Sequence, residues 1–487
     1  MATSKYIDSD IVKVYKFGEP RKEVNLLATL FWGDKVEFIK KEGTSWKLDF
    51  TKREWDDTNK KYVWKKYEAA IPSKVKFRDE PILKVRFVDV GQGDASIIES
   101  PKGKIIILDG GEEDHLRRYM SSSWAYILKD RALDCEAVVV THGDADHFTG
   151  LTKLLNATRG KDKSMLNINR VYHNGIIKGA SSLPVKEIFG KSKLFNNKLY
   201  ITELEDDIRN VSDQRMNSPF KDWKKALLDA TIQNPALKVE RVEFGGDSAF
   251  DFLQNENIKF QILGPLVEKI NNKPVLSYLH KDNSSSYSAS HTINGHSVVL
   301  KLTYGNVRLL FGADLNAESQ TNLLERTRIE GISLASEVLK VPHHGSSDFN
   351  PAMLESVRPV VSVISSGDEN EAKEYIHPRA GLVGALGKYS RATVEKPLIY
   401  VTEMAAFFKK MGHVRMYKVS GTGKESTEGT ETMNGYIKKA FGIVHIRTDG
   451  KRVLVATHSG KPGQKESYSF NVDHLGNITF AKSTSVI

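Results

Sequence analysis

The feature that most constrains the fold is the run His-Gly-Asp-Ala-Asp-His at residues 142–147, with the apolar residues around it. Residues 137–140 are Ala-Val-Val-Val, as in a buried strand, and the segment after Phe148 has an apolar pattern that suits a helix. Imidazole and carboxylate are the ligands of zinc, manganese and iron sites. One Asp here would be explained as a helix N-cap. Capping does not account for two histidines flanking two carboxylates, so the run predicts a metal site.

Three further segments place polar groups where predicted strands end. Asp109 follows an apolar run, Asp314 ends Leu-Leu-Phe-Gly-Ala-Asp, and His343 and His344 follow Val-Leu-Lys-Val-Pro. Each alone is explained as a turn, but strand ends are where open α/β sheets build their sites. We therefore expect one shared site, in which Asp109 orients a ligand histidine and Asp314 bridges two metals.

Composition indicates a soluble protein of ordinary type. The 487 residues are 40% hydrophobic and 27% charged, with a net charge of +10. The basic surplus suits a polyanionic partner such as nucleic acid, although a solvated basic surface explains it equally well. The chain has a single cysteine, Cys135, no apolar run of membrane-spanning length and no N-terminal secretory signal. These features predict a cytoplasmic protein with no membrane association.

The pattern along the chain predicts three parts. Residues 1–78 alternate strand and turn signals and resemble a small SH3-like β module. Residues 82–404 alternate strands and helices, as a layered α/β domain does, with a helical insertion at about 178–257. Residues 405–487 form a β-rich extension packed on that domain, with a hairpin signal at Asp-Gly 449–450.

The first module also carries aromatic and basic residues whose role can be interpreted in two ways. Trp55, Trp64, Lys60 and Lys61 suit binding of a protein partner or a nucleic acid, or else the aromatics form the small core and the lysines keep it soluble. For the tryptophans we favour the core.

Four sequence blocks together resemble the metallo-β-lactamase fold and, within it, the hydrolase domain of ComEC-type DNA-uptake proteins. The blocks are FVDVGQGD at 87–94, THGDADHFTG at 141–150, FGADL at 311–315 and VPHHGS at 341–346. The resemblance implies a four-layered αββα sandwich with metals at one edge of the sheets. It covers residues 83–403, and its extension to the C-terminus is left open.

The resemblance also implies roles for individual residues. His142 and Asp144 are expected to bind one metal, and Asp146 and His147 the other. Asp314 is expected to bridge the two metals. Asp146 is also expected to orient the attacking water. His343 is weakly favoured over His344 as the remaining ligand, which leaves His344 to contact substrate or donate a proton. Asp94 and Asp109 are expected to contact the ligand residues without binding the metals themselves. The metals are expected to be Zn²⁺ or Mn²⁺.

A further motif of the family, Asn-Tyr-x-His-Pro-like, is matched by Asn370 and by Tyr375 to Pro378, with extra residues between. It predicts that His377 faces the pocket. Ser346, Ser347 and Lys340 are candidates for contacts with substrate phosphates, or else belong to a solvated turn.

The chain departs from the superfamily pattern at two positions. Asp144 replaces the second histidine, as in the ComEC-like branch, and Gly264 stands where many members have a further histidine. The first metal site is therefore expected to be short of a ligand, unless one comes from elsewhere in the chain. The candidates are His291, His296 and His173.

The resemblance implies a metal-dependent phosphodiesterase, with a soluble nuclease acting on DNA or RNA as the leading hypothesis. Two alternatives remain open: a hydrolase of a small phosphodiester, ester or thioester, and a non-catalytic binding protein with a degenerate metal site. The absence of transmembrane segments argues against DNA uptake itself.

Overall fold

The N-terminal part of this computed structural model is a seven-stranded antiparallel sheet. Its strands are β1 (Thr3–Ile7), β2 (Ile11–Lys16), β3 (Leu26–Phe31), β4 (Lys35–Glu42), β5 (Ser45–Asp56), β6 (Lys61–Pro72) and β7 (Phe77–Arg78). They lie in the order β3-β2-β6-β5-β4-β1-β7. The specific likeness to an SH3 barrel stays a prediction. The structure describes residues 3–159, 164–280, 285–367, 377–391, 397–402, 408–419, 425–438, 442–457 and 467–485.

The central element is a ten-stranded sheet that joins distant parts of the chain. It contains β8 (Leu83–Val88), β9 (Ser96–Glu99), β10 (Ile105–Leu108), β12 (Ala137–Val139), β14 (Arg170–His173), β17 (Lys238–Arg241), β28 (Ile443–Thr448), β29 (Arg452–Thr457), β30 (Ser467–Val472) and β31 (Ile478–Ala481). The order is β17-β14-β12-β10-β9-β8-β28-β29-β30-β31. Because β28 pairs with β8, the last four strands of the chain extend this sheet.

A second sheet of six strands carries the other half of the core. It contains β18 (Ile258–Gly264), β21 (Val299–Tyr304), β22 (Val307–Phe311), β23 (Val338–Lys340), β24 (Val361–Ile364) and β25 (Leu398–Val401), in that order. The hairpin of β21 and β22 is antiparallel, and β22 to β25 are parallel.

Helices cover the outer faces of both sheets. They are α1 (His115–Ser123), α2 (Ala125–Leu128), α3 (Ala145–Leu155), α4 (Ser218–Gln233), α5 (Ala289–Gly295), α6 (Ala317–Ile329), α7 (Pro351–Val357) and α8 (Ala380–Tyr389). In the described part of the chain, no helix combines the length and apolarity needed to cross a bilayer.

Buried apolar residues form three clusters between the helices and sheets. Phe87 and Ile106 of the large sheet pack with Phe260 and Leu300 of the small one. A second cluster lies between the large sheet and α1, α3 and α4, and a third between the small sheet and α6, α7 and α8. The layers are therefore helices, sheet, sheet, helices. Strands covered on both faces explain the near-continuous apolar runs in the sequence.

The segment 178–257 differs from the helical expectation. Helix α4 is present, capped by the Asn217 side chain. The segment also holds the strands β15 (Ser192–Phe195), β16 (Lys198–Ile201) and β17. Since β17 pairs with β14, part of the segment belongs to the main sheet rather than lying over the site.

Short pairings complete the architecture. β11 (Leu133–Cys135) pairs with β13 (Leu166–Ile168), and β15 and β16 continue into a four-stranded sheet with β20 (Lys273–Ser277) and β19 (Glu268–Ile270). β26 (Phe408–Val419) and β27 (Glu425–Lys438) form a separate antiparallel pair.

The N-terminal sheet packs against the C-terminal strands. The ring of Phe31 stacks on His445 at 5.1 Å between centroids, and Trp32 is buried with Ile82 and Leu454. The Arg447 guanidinium donates to the Trp32 carbonyl at 2.7 Å. These contacts join the first and last parts of the chain.

Candidate metal centre

The candidate site lies where two pairs of parallel strands end. β10 and β12 are parallel neighbours in the large sheet, and β22 and β23 are parallel neighbours in the small one. Asp109 follows β10, His142 follows β12, Asp314 follows β22, and His344 follows β23. The sandwich brings the two edges together, so residues far apart in sequence meet at one point.

Asp109 holds His147 in a fixed orientation. Its carboxylate accepts hydrogen bonds from the Thr141 backbone N–H at 2.8 Å, the Thr141 hydroxyl at 2.6 Å and Nδ1 of His147 at 2.8 Å. Nε2 of His147 then lies 3.3 Å from the Asp314 carboxylate. The arrangement is that of a carboxylate orienting a ligand imidazole.

His142 is fully buried beside this histidine, with ring centroids 4.0 Å apart. Its Nδ1 lies 3.1 Å from the Thr141 hydroxyl, and its Nε2 lies 3.9 Å from the Asp314 carboxylate. The two imidazoles thus approach Asp314 with the same ring nitrogen.

His344, rather than His343, joins this group. Its Nε2 lies 3.0 Å from the Asp314 carboxylate and 3.6 Å from that of Asp146, and its Nδ1 contacts the Ser365 carbonyl at 3.0 Å. Both histidines have positive φ, and the tight turn points the second one inward. The geometry therefore favours His344 over His343 as the ligand, and the choice between them stays a prediction.

His343 lies at the rim of the cleft instead. Its Nε2 is 3.3 Å from the Asn294 side-chain amide, and its ring centroid is 6.2 Å from that of His377. His377 also lines the cleft, as its motif predicts, whereas Asn370 and Tyr375 lie outside the described residues.

Lys340 does not face substrate. It is 3% exposed, forms an ion pair with Asp94, and has its Nζ 4.0 Å from the Asp314 carboxylate. The inward direction of this β23 side chain makes it a counter-charge for buried acids, which corrects the expected phosphate contact. Ser346 and Ser347 lie outside the lining of the cleft.

Asp146 reaches the cleft because a glycine lets its backbone come close. Gly93 has φ +100, and a Cβ there would lie 1.8 Å from the Asp146 carbonyl oxygen. Gln92 donates to the Asp146 carboxylate at 3.2 Å. The FVDVGQGD block thus packs directly against the first turn of α3.

Asp144 occupies the N-cap position of α3, but its side chain makes no capping hydrogen bond. Its carboxylate accepts a hydrogen bond from Nζ of Lys178 at 2.5 Å. Among the described residues, the close groupings of metal-binding atoms do not include Asp144. The predicted ligand is therefore bound by a lysine that no sequence pattern singles out.

The missing histidine is not replaced by His173 or His296. Nδ1 of His173 accepts from the Gly175 backbone N–H at 3.1 Å, and Nε2 of His296 contacts the Ser277 carbonyl at 2.7 Å. His291 does line the cleft, where its Nε2 lies 3.6 Å from the Asp348 carboxylate. At Gly264 a Cβ would lie 2.9 Å from the Ser297 carbonyl oxygen, which leaves little room for a side chain.

The cleft over these residues has a volume of about 450 Å³. Sequence analysis missed several of its polar lining residues: Gln92, Glu112, Ser290, Asn294, Asn316 and Asp348. Only Gln92 had a signal, since it lies within one of the four family-like blocks. The lining is rich in carboxylates, so the protein part of the cleft is acidic.

Burial and charge shift the pKa values of the central groups strongly. Burial lowers the pKa of His142 to about 4, with His147 adding to the effect. Burial alone would lower the pKa of His344, but Asp314 and Asp94 raise it to about 10. Burial would raise the pKa of Asp314, yet His344 and His147 hold it well below its usual value. Such shifts cluster at functional sites.

The residues present fit a divalent metal. Nε2 of His142, of His147 and of His344 and Oδ1 of Asp314 are buried and lack a hydrogen-bond partner among the described residues. Two overlapping groups have all their donor atoms within 4.8 Å of one another: His142, His147 and Asp314, and Asp146, His147 and His344. Unsatisfied buried donors of this kind are costly, and imidazole with carboxylate is a zinc or manganese ligand set.

Comparison with known proteins agrees with this site at the level of the superfamily. The model of the family described as "Metallo-beta-lactamase superfamily" matches residues 88–205, the stretch that carries the 142–147 run. Residues 88–205 are therefore similar to the metallo-beta-lactamase superfamily, and the predicted mixed α/β fold is confirmed. The narrower likeness to ComEC-type proteins stays a prediction. No curated protein matches the chain.

Solved structures that match include a mutant of the CmlA beta-hydroxylase and a long form RNase Z from yeast. The first is 11% identical with a TM-score of 0.32, and the match covers 67% of this chain and 53% of that one. The second is 11% identical with a TM-score of 0.26, covering 58% and 37%. This chain thus spans about half of the first structure, and such TM-scores support no statement about activity.

Proposed function

We propose that this protein is a metal-dependent phosphodiesterase that hydrolyses nucleic acid. The observation that carries the proposal is the convergence of three buried, unpartnered imidazole nitrogens on Asp314, beside the carboxylate of Asp146. The three Nε2 atoms face the carboxylates of this set without making a hydrogen bond to any described residue, and a divalent cation would satisfy them.

His142, His147, His344, Asp146 and Asp314 would hold two divalent ions, zinc or manganese. When bound, such a pair activates water near neutral pH and neutralises charge that develops on a phosphoryl group. The acidic lining of the cleft supports the same idea, because without cations it would repel a phosphodiester.

The protein's own groups would then orient the reactants. Asp146, which accepts a hydrogen bond from Gln92, would accept another from the attacking water. Asn294 and His343 lie together at the rim, where an amide and an imidazole N–H can donate to phosphate oxygens. Burial lowers the pKa of His377 to about 4, so at pH 7 this imidazole is neutral and can donate one hydrogen bond and accept another.

The full chain, stripped with a chelator and reloaded with Mn²⁺ or Zn²⁺, should hydrolyse bis(p-nitrophenyl) phosphate and at least one of single- or double-stranded DNA or RNA. Asp146→Asn should lower the rate about 10²- to 10⁴-fold. Asp229→Asn, the same change on the exposed side of α4, should leave it unaltered.

Two outcomes would contradict the proposal. One is a loaded, folded protein that cleaves p-nitrophenyl acetate but no phosphodiester, since this indicates an esterase. The other is full activity in Asp146→Asn, since this places the chemistry elsewhere.

A further inference from the structure

In the outer part of the long β5–β6 hairpin, beyond the acidic pair Asp49–Glu68, one face carries only exposed residues. The pairs Thr51–Lys66, Arg53–Trp64 and Trp55–Tyr62 lie directly opposite each other. Because alternate residues share a face, all six side chains point the same way, and all six are exposed. We call them the hairpin face. The expectation that Trp55 and Trp64 form the module core is wrong, since that core is built around residues such as Val12, Leu48 and Ile71.

The hairpin face alternates aromatic rings with cations. Trp55 and Tyr62 are 47% and 57% exposed, with ring centroids 5.0 Å apart, and the Arg53 guanidinium lies 4.6 Å from the centre of the Tyr62 ring. Within the described residues, no carboxylate lies within ion-pair distance of Arg53 or Lys66. The acidic Glu54 is on the opposite face, paired with Lys52 and Lys65.

The same surface continues onto α2. Lys129, which follows this helix, lies 5.7 Å from the ring centre of Trp64 and 4.4 Å from that of Tyr126, which is 66% exposed. The hairpin face is thus held against the α/β domain and does not project alone into solvent.

We propose that the hairpin face binds an unpaired nucleic-acid strand. Exposed rings alternating with cations that lack acidic partners offer stacking to bases and neutralisation to phosphates, the combination that single-strand binding surfaces use. In a duplex the faces of the bases are covered by the neighbouring base pairs, so they cannot stack on these rings. The first 78 residues hold 18 Lys and Arg against 12 Asp and Glu, so the module as a whole also attracts a polyanion.

This inference rests on the proposed function for its biological sense, because the face would hold a strand for the metal site. It is tested without catalysis. The full chain is kept in a chelator, and its binding to a fluorescently labelled oligothymidylate and to a labelled duplex is followed by anisotropy over a range of salt concentrations.

The wild-type protein should bind the single strand more tightly than the duplex. Trp55→Ala should weaken single-strand binding about 5- to 100-fold. Arg53→Ala should reduce the slope of log affinity against log salt by about 0.7. Lys52→Ala removes the neighbouring charge on the opposite face of the same strand and should change the slope far less. Unchanged thermal midpoints would show that the variants fold.

The proposal would be overturned if Arg53→Ala and Lys52→Ala changed the salt slope equally, or if Trp55→Ala left single-strand affinity unchanged. It would also be overturned if the protein bound no oligothymidylate, and a protein would then remain as the partner of this face. Hydrolysis of bis(p-nitrophenyl) phosphate separates the two proposals. A protein that binds the strand but does not hydrolyse this substrate when loaded with metal would contradict only the catalytic function. A protein that hydrolyses the substrate but binds no strand would contradict only this inference.

Discussion

Nδ1 of His147 lies 2.8 Å from the carboxylate of Asp109, and this contact fixes which ring nitrogen faces the candidate metal centre. Asp109 has φ +57 and is buried at the end of β10, so the chain keeps a residue with a strained backbone beside a histidine of α3. A hydrogen bond to a ligand imidazole from behind raises its basicity and removes its rotational freedom.

Asp109→Asn tests this relationship with little change in shape, because Asn also tolerates positive φ. The amide can still accept from the Thr141 backbone, but its NH₂ group cannot accept from Nδ1 of His147. Metal affinity should fall about 10- to 100-fold, measured by competition with a chromophoric chelator. Unchanged affinity in a folded variant would show that the contact is not part of a metal site.

Gly93→Ala probes the close contact with α3. Its Cβ would overlap the Asp146 carbonyl, and φ +100 is unfavourable for alanine. We expect a loss of more than about 1 kcal/mol of stability and a fall in phosphodiester hydrolysis. Gly103→Ala is the matched control, since Gly103 has φ +83 but nothing within 4 Å of the added atom. Equal effects of both changes would mean that only backbone strain matters and not the position of Asp146.

Asp144 and Lys178 decide how complete the first metal position is. Because the carboxylate is held by the lysine, Asp144→Ala should lower metal affinity less than about tenfold, whereas Asp314→Ala should lower it by much more. Lys178→Met frees the carboxylate and should raise the affinity of the weaker of two binding steps in calorimetric titration. A large loss of affinity in Asp144→Ala would identify it as a ligand after all.

The sequence predicted the strands and their ends well, because buried strands carry near-continuous apolar runs and their turns carry Gly, Asp or Asn. The hairpin of β28 and β29 around Asp-Gly 449–450 is confirmed. Its place beside β8 could not be predicted, since the pairing joins segments more than 350 residues apart and leaves no local signal.

The candidate site shows the same limit. Local patterns located Asp109, His142, His147 and Asp314, which the structure brings together. They could not distinguish His343 from His344, because both follow the same strand and the turn alone decides which imidazole points inward. The ion pairs Lys340–Asp94 and Lys178–Asp144 could not be predicted either, because the two residues of each pair lie far apart in the sequence.

The ion-paired cluster at Glu99 gives a pH-dependent test of the large sheet. Its carboxylate accepts from Arg86 at 2.5 Å and from Lys84 at 3.0 Å, on neighbouring strands. Burial alone would raise the pKa of Glu99, but Arg86 and Lys84 hold it well below its usual value. The folded protein therefore binds this proton less readily than the unfolded chain.

With the folded pKa below the unfolded one, the stabilisation is present above about pH 4.3 and is lost as the pH falls through the folded pKa. Glu99→Gln should cost about 2 kcal/mol at neutral pH, less than a fully buried pair because water still reaches the carboxylate. The difference in thermal midpoint from the wild type should shrink steadily below about pH 4. Glu113→Gln, which breaks an exposed pair with Lys153, should have a much smaller effect at either pH. A Glu99→Gln deficit that is the same at neutral and acid pH would show that packing, and not charge, accounts for it.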